Sequence, residues 1–227
     1  MHHILDNPLW NSLNSGCKQF ALGNDPHVKY FQRDAALFAG MDDYNETNFR
    51  KLSEYSDVGD AYILFTAGDI SIPVDWEVKL NKTMLQMVFQ NVLPEITNDQ
   101  QIKVLDESHV TQMLDLTKRT NRGPFFNKTI LLGNYLGIFD NKKLIAMAGQ
   151  RNKIGNYTEV SAVCTDPGFT GKGYAKKIMV QLMHIIMKDN YIPMLHLFKD
   201  NTNALALYFK LGFEIRRELQ VYFIQKK

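Results

Sequence analysis

The chain has 227 residues, 45% hydrophobic and 22% charged, with a formal net charge of +2. That is the make-up of a globular protein with a sizeable core, and it speaks against a disordered, fibrous or general nucleic-acid-binding chain. No stretch approaches the roughly 18 consecutive apolar residues of a membrane span, the opening MHHILDNPLWNSLN lacks the leader of a secretory signal, and two cysteines without metal-ligand spacing, Cys17 and Cys164, imply a reduced, cytoplasmic setting with no metal.

In chain order, Asn7 followed by Pro8 opens a short helix over NPLWNSLN, and ETNFRKLSEYS reads as a second helix. AYILFTA is short, branched and aromatic, which predicts a buried strand ending at Gly68-Asp69. Pro73 breaks any strand in DISIPVDWEV or confines it to an edge, while TMLQMVFQN suits strand or helix equally. His2, His3 and His27 stand isolated, and this half shows no catalytic grouping. The polar PEITNDQQI, residues 94–102, is the expected boundary between a mixed α/β domain at 1–98 and a second domain at 99–227. Charge changes sign there. Residues 1–100 hold 7 Lys and Arg against 14 Asp and Glu, a net −7, and residues 101–227 hold 19 against 10, a net +9. The second unit is therefore the one suited to an anion.

Beyond the boundary, Asp106 is an N-cap for a helix with Val110, Met113, Leu114 and Leu116 on one face. NYLGIFDNKKLIAMAGQRN predicts a hairpin turning at Asp140-Asn141, and NYTEVSAVCT a further strand. GKGYAKKIMVQLMHIIMKDN is an amphipathic helix, YIPMLHLF a strand, and NTNALALYFKLG a helix ended by Gly212. FEIRRELQVYFIQKK closes as two strands or one long bent one. The order predicts an α/β fold (α+β) with a mixed, mostly antiparallel sheet flanked by helices.

The stretch AVCTDPGFTGKGYAKKIMVQLM joins a strand to a helix through Gly168, Gly171 and Gly173. A helix starting at about Gly171 would offer unpaired N–H groups, glycines would let a ligand approach the backbone, and Lys172, Lys176 and Lys177 add positive charge. A close-packed turn accounts for the glycines equally well. Neither the Walker loop nor the dinucleotide fingerprint matches the spacing.

The downstream segment distinguishes these. Asn201, Ala204, Leu207, Tyr208, Leu211, Gly212 and Phe213 follow the pattern Asn-x-x-Ala-x-x-Leu-Tyr-x-x-Leu-Gly-Phe, and Thr170-Gly171-Lys172-Gly173-Tyr174-Ala175 follows Arg/Gln-x-x-Gly-x-Gly/Ala except at its first position. With both motifs in order, residues 101–227 resemble the GNAT superfamily of acyl-CoA-dependent N-acyltransferases, and within it look most like the glycine N-acyltransferase-like branch. The resemblance implies acetyl-CoA as co-substrate. Val163, Cys164 and Thr165 would bind its pantetheine arm through the backbone. Thr170, Gly171, Lys172, Gly173, Tyr174 and Ala175 would hold its pyrophosphate, with the Thr170 hydroxyl accepting the Gly173 N–H. Asn201 would contact the cofactor, and Tyr208 would protonate the leaving thiolate, a donor of suitable acidity.

The attacking amine must also lose a proton. Glu159 lies six residues before Thr165, and even spacing predicts that the two side chains share a face; His196 or a water is the alternative base. Cys164 has no evident histidine partner and reads as a small hydrophobe, not a nucleophile. The expected activity is direct acetyl transfer to a primary amine of a small molecule, amino acid or peptide, by a monomer or homodimer, without nucleic acid or membrane. A non-catalytic module that senses CoA or acyl-CoA is the alternative, and a cofactor-free interaction domain a third. The N-terminal half is expected to wall the acceptor site.

Overall fold

The structure is a computed structural model describing residues 3–96, 101–121 and 123–227. His2 and the 98/99 boundary lie outside the described residues. The N-terminal part holds helices α1 (Pro8–Leu13) and α2 (Glu46–Glu54) and a three-stranded antiparallel sheet of β1 (Ala21–Leu22), β2 (Val28–Phe31) and β3 (Ala39–Met41). Pro8 occupies the first turn of α1, where a missing N–H costs nothing. Asn45 caps α2 by accepting the Asn48 N–H at 3.0 Å.

The main sheet has eight strands in the order β4-β11-β5-β10-β9-β8-β7-β6. They are β4 (Ala61–Thr66), β5 (Trp76–Phe89), β6 (Ile102–Leu105), β7 (Tyr135–Asp140), β8 (Lys143–Ile154), β9 (Tyr157–Thr165), β10 (Ile192–Phe198) and β11 (Phe213–Lys226). All neighbours are antiparallel except β9 and β10. Helices α3 (Val110–Thr120), α4 (Tyr174–Lys188) and α5 (Thr202–Lys210) complete the fold. The architecture is the mixed α/β one expected, with a large mixed sheet flanked by helices.

Several local readings shift. Asp106 caps a 3-10 turn, Glu107–His109, that leads into α3. The β7–β8 turn centres on Asn141 and Lys142, both at positive φ, one residue later than expected. The ambiguous TMLQMVFQN joins the preceding segment in one 14-residue strand, β5, that starts after Pro73. Strand β11 is single, with register shifts at Ile215/Arg217 and Phe223/Ile224. Most consequentially, β5 lies between β10 and β11, and β4 pairs with β11. The N-terminal part is thus built into the main sheet.

Alternation divides the sheet into two faces. Leu85, Met87, Val160, Leu195 and Leu197 meet Ile178, Met179, Leu182, Met183 and Ile186 of α4 on one face. On the other, Met113 and Leu116 of α3 cover Met147 and Cys164, and Leu9 and Leu13 of α1 join Phe38, Phe65, Met84 and Val221.

Candidate active site

Strands β9 and β10 pair only from Tyr157 to Glu159 against Ile192 to Met194. Beyond that point they separate. From Val160 onward β9 bonds β8 alone, and from Leu195 to Phe198 β10 bonds β5 alone. The backbone groups facing across the gap carry no ladder bonds, which suits an extended ligand with amide groups. A cavity of about 250 Å³ occupies the opening, lined by Ser161, Ala162, Val163, His196, Asn201 and Tyr208 among others.

Two bulges shape this wall. Ser161 opposes Gly149 and Cys164 opposes Met147, so three steps along β9 match two along β8. The extra residue is Ala162, at φ 52°, a left-handed conformation costing an L-residue roughly 1–2 kcal/mol. The bulge reverses the alternation, which corrects the expected shared face of Glu159 and Thr165. Thr165 stands opposite Ala146, on the α4 side, whereas Glu159 falls on the Cys164 side. The second bulge sits in β8, where Gln150 opposes Val160 and Lys153 opposes Thr158. Arg151 and Asn152 therefore both answer Glu159.

Glu159 is fully buried, and its carboxylate accepts four hydrogen bonds. Arg151 donates from Nη2 to Oε1 at 2.6 Å and from Nε to Oε2 at 3.0 Å, Asn152 donates to Oε2 at 2.6 Å, and His196 Nδ1 to Oε1 at 2.7 Å. Burial alone would raise its pKa, but the Arg151 guanidinium and the His196 N–H hold it far below the usual carboxylate range. Four donors occupy the lone pairs that a proton acceptor would need. Glu159 is the counter-ion that fixes Arg151.

His196 is also committed. The Gln86 amide can take only one orientation, because Arg216 Nη1 donates to its Oε1 at 2.7 Å and its Nε2 donates to the Leu5 carbonyl at 2.9 Å. Its second N–H therefore points to His196 Nε2, 3.0 Å away. His196 then donates from Nδ1 to Glu159 and accepts at Nε2 from Gln86. The chain of contacts ends at Asp6, bonded by Arg216 and, at 2.7 Å, by Arg217. Burial opposes that ionisation, but the Arg216 and Arg217 hydrogen bonds bring the Asp6 pKa down to about 2.

The glycine-rich turn lies at the end of β9. Pro167–Phe169 forms a 3-10 turn capped by Asp166, whose Oδ1 accepts the Gly168 N–H at 3.1 Å. Arg119 of α3 and Lys143 of β8, the latter at 3.1 Å, hold its Oδ2. Helix α4 begins at Tyr174, not Gly171, and Gly173 at φ 79° is its N-cap. Gly171 has φ 77°, and no atom lies within 4 Å of where either glycine's Cβ would stand. The Thr170 hydroxyl donates to the Pro167 carbonyl at 3.2 Å. It closes the preceding turn and does not cap α4, because Gly173 itself makes the turn into the helix. Lys172 lies over the Phe169 ring at 4.8 Å.

The remaining expected residues fall in several places. Cys164 is buried under α3, so only its backbone reaches the gap, while Val163 lines the cavity. Tyr174 and Ala175 are the first residues of α4, and the Tyr174 ring lines a separate hollow beside Ile138 and Ile145. Asn201 caps α5, accepting the Ala204 N–H at 3.3 Å. Tyr208 is nearly buried, its ring edge-on to Phe213 at 6.1 Å. The structure adds Arg151, Gln86 and the aromatic wall of Phe38 and Phe65, which the sequence reading passed over. Hairpin symmetry about Gly155-Asn156 was the available signal, since it sets residue 152 opposite 159.

Among the described residues, no group of three or more His, Cys, Asp or Glu is placed to hold a metal ion, and no helix is long and apolar enough to cross a membrane.

Residues 135–223 match the family model for FR47-like proteins. No curated protein matches the chain significantly in sequence. Among solved structures, the chain is similar to a protein from Novosphingobium aromaticivorans assigned to the GNAT family of acetyltransferases, with 27% identity, full coverage of both chains and a TM-score of 0.92. A GCN5-related N-acetyltransferase from Kribbella flavida shares the fold at 11% identity and a TM-score of 0.59, over 96% of this chain and 95% of that one. So does a GCN5-related N-acetyltransferase-like protein from Streptococcus suis, at 14% identity and a TM-score of 0.55, over 91% and 88%. The open β9–β10 pair, the glycine turn and these likenesses together give the chain the fold of the GNAT acetyltransferases, with an FR47-like region over residues 135–223.

Proposed function

We propose that the protein transfers an acetyl or other short acyl group from acyl-CoA to a primary amine within a ternary complex. The observation carrying this reading is that the unpaired edge of β9 and Tyr208 line one opening, and that β9 runs on from it into the Gly171–Gly173 turn at the head of α4. These features suit acetyl-CoA. The β9 backbone from Val163 to Thr165 offers amide partners to pantetheine, and the open glycines with the first N–H groups of α4 offer an anion site for pyrophosphate. The thioester supplies an activated acyl carbon. The chain aligns the amine with it, and Tyr208 gives its hydroxyl proton to the departing thiolate as the C–N bond forms and the C–S bond breaks. Since Glu159 and His196 are both engaged, the amine's proton leaves to water. Two cysteines buried as thiols, Cys17 and Cys164, fit a reducing, cytoplasmic compartment.

The test is release of free thiol from acetyl-CoA across a panel of primary amines. Without a protein base, kcat/KM should climb with pH tenfold per unit until the amine's own pKa, and shift when an amine of different pKa is used. A plateau near neutrality for every amine would restore a protein base. The commitment of both Glu159 and His196 also gives weight to the non-catalytic sensor reading; CoA binding by calorimetry with no thiol release from any amine would favour it.

A further inference from the structure

The acceptor side of the cavity has a distinctive chemistry. Phe38, Ile63, Phe65 and Met84 come from the N-terminal part and Val221 from β11. They make an apolar wall, with Phe38 and Phe65 edge-on at 5.4 Å. The ionisable groups of the lining are Arg151, His196 and Tyr208; no carboxylate belongs to it among the described residues. Glu159 lies beneath, wholly covered and spent on its four donors.

Arg151 is built as a recognition group. Its guanidinium lies 4.6 Å from the Phe38 ring centroid, and Glu159 takes its Nε–H and one Nη2–H. Three of the five N–H groups of a guanidinium remain beyond those two. Ring stacking and the buried carboxylate fix the plane, so an arriving carboxylate meets a pre-oriented fork. A second ammonium on the acceptor would instead meet Arg151 with no anion to receive it.

We infer, resting on the acyltransferase reading above, that the acceptor is a monoamine bearing an apolar body and a carboxylate. Arg151 takes the carboxylate, and the Phe38, Ile63, Phe65 and Val221 wall takes the body. Apolar α-amino acids have this form. Diamines and polyamines are excluded by charge, and Arg151 and Ile63 are specificity residues for the acceptor.

The experiment compares phenylalanine, phenethylamine and putrescine with acetyl-CoA on the full chain. Phenylalanine should exceed phenethylamine by tenfold or more in kcat/KM once each value is divided by that amine's neutral fraction at the assay pH, and putrescine should be poorest. Arg151→Lys should narrow the first ratio. Because that change touches the buried pair, Ile63→Asp on β4 serves as the second variant, and it should raise putrescine relative to phenylalanine at least tenfold. Equal or better use of phenethylamine or putrescine by the wild type overturns this inference and leaves the acyltransferase reading standing. Thiol release from no amine at all sinks that reading, and the inference with it.

Discussion

Replacing Glu159 by Gln separates two roles that the sequence alone leaves merged. The substitution keeps the shape and removes the charge. Arg151, Asn152 and His196 now donate toward the carboxylate. A Gln amide offers one acceptor oxygen and an NH2 group, so at least one donor would face another donor, and Arg151 would lose its buried counter-ion. Removing one partner of a buried pair costs about 3–5 kcal/mol, and for a chain of this size each kcal/mol moves Tm by about 2–4 °C, giving a fall of roughly 6–20 °C. The pH dependence has a definite sign. The folded-state pKa of Glu159 lies well below its ordinary value of 4.5, so its contribution is fully present above about pH 4.5 and is lost as pH drops toward the folded value. Wild type should therefore lose stability on acidification below about pH 4.5 by an amount that Glu159→Gln does not show. Circular dichroism melts between pH 3 and 7 measure both effects. A general base would behave differently: its loss costs about 10²–10⁴ in rate and little in Tm. An unchanged Tm with a hundredfold loss of turnover would refute the counter-ion assignment.

Tyr208→Phe should lower kcat while CoA affinity stays within a few-fold, checked by stopped-flow turnover beside calorimetry; equal kcat would remove Tyr208 as the acid. Gly173→Asp should abolish CoA binding, since it sets a carboxylate at the head of α4 and strains a residue at φ 79°; calorimetric titration reads this directly, and intact binding would relocate the anion site. Gln86→Leu orphans Leu5, His196 and Arg216 partners in a fully buried position, at about 1–3 kcal/mol for each group left unsatisfied. Nitrogen NMR of His196 should then show the ring leaving its single Nδ1–H tautomer; an unaltered tautomer would mean that Glu159 fixes it unaided.

The second half of the fold was largely legible because its signals are local. Apolar spacing marks α3 and α4, Gly212 ends α5, and the Asn201-to-Phe213 motif coincides with that helix and the start of β11. What stayed hidden depends on pairing. Pro73 forbids a strand through its position, and β5 starts after it at Trp76 and runs to Phe89. Its ambiguous second half is settled by antiparallel neighbours on both sides, β10 and β11, far away in sequence. Tertiary pairing here overrides periodicity. The parity argument for Glu159 failed for a related reason. Counting by twos holds only along a regular ladder, and a single alanine in left-handed conformation was enough to turn the later residues over.

The two bulges and the position of β5 work together. The β9 bulge turns Cys164 away under α3 and leaves backbone at the gap. The β8 bulge aims Arg151 and Asn152 together at Glu159. Strand β5 then brings Gln86 to the same face and locks His196 from behind, while the preceding chain supplies Phe38, Ile63 and Phe65. Glu159 and His196 each have fixed partners in this layer, so under the acyltransferase reading the layer would orient an acceptor and leave its proton to water. On that reading such a site would accelerate transfer through alignment, and would succeed only if the amine reached the cavity already able to attack. That requirement ties the apolar wall to the chemistry: surroundings that disfavour a charged ammonium favour the neutral, nucleophilic amine.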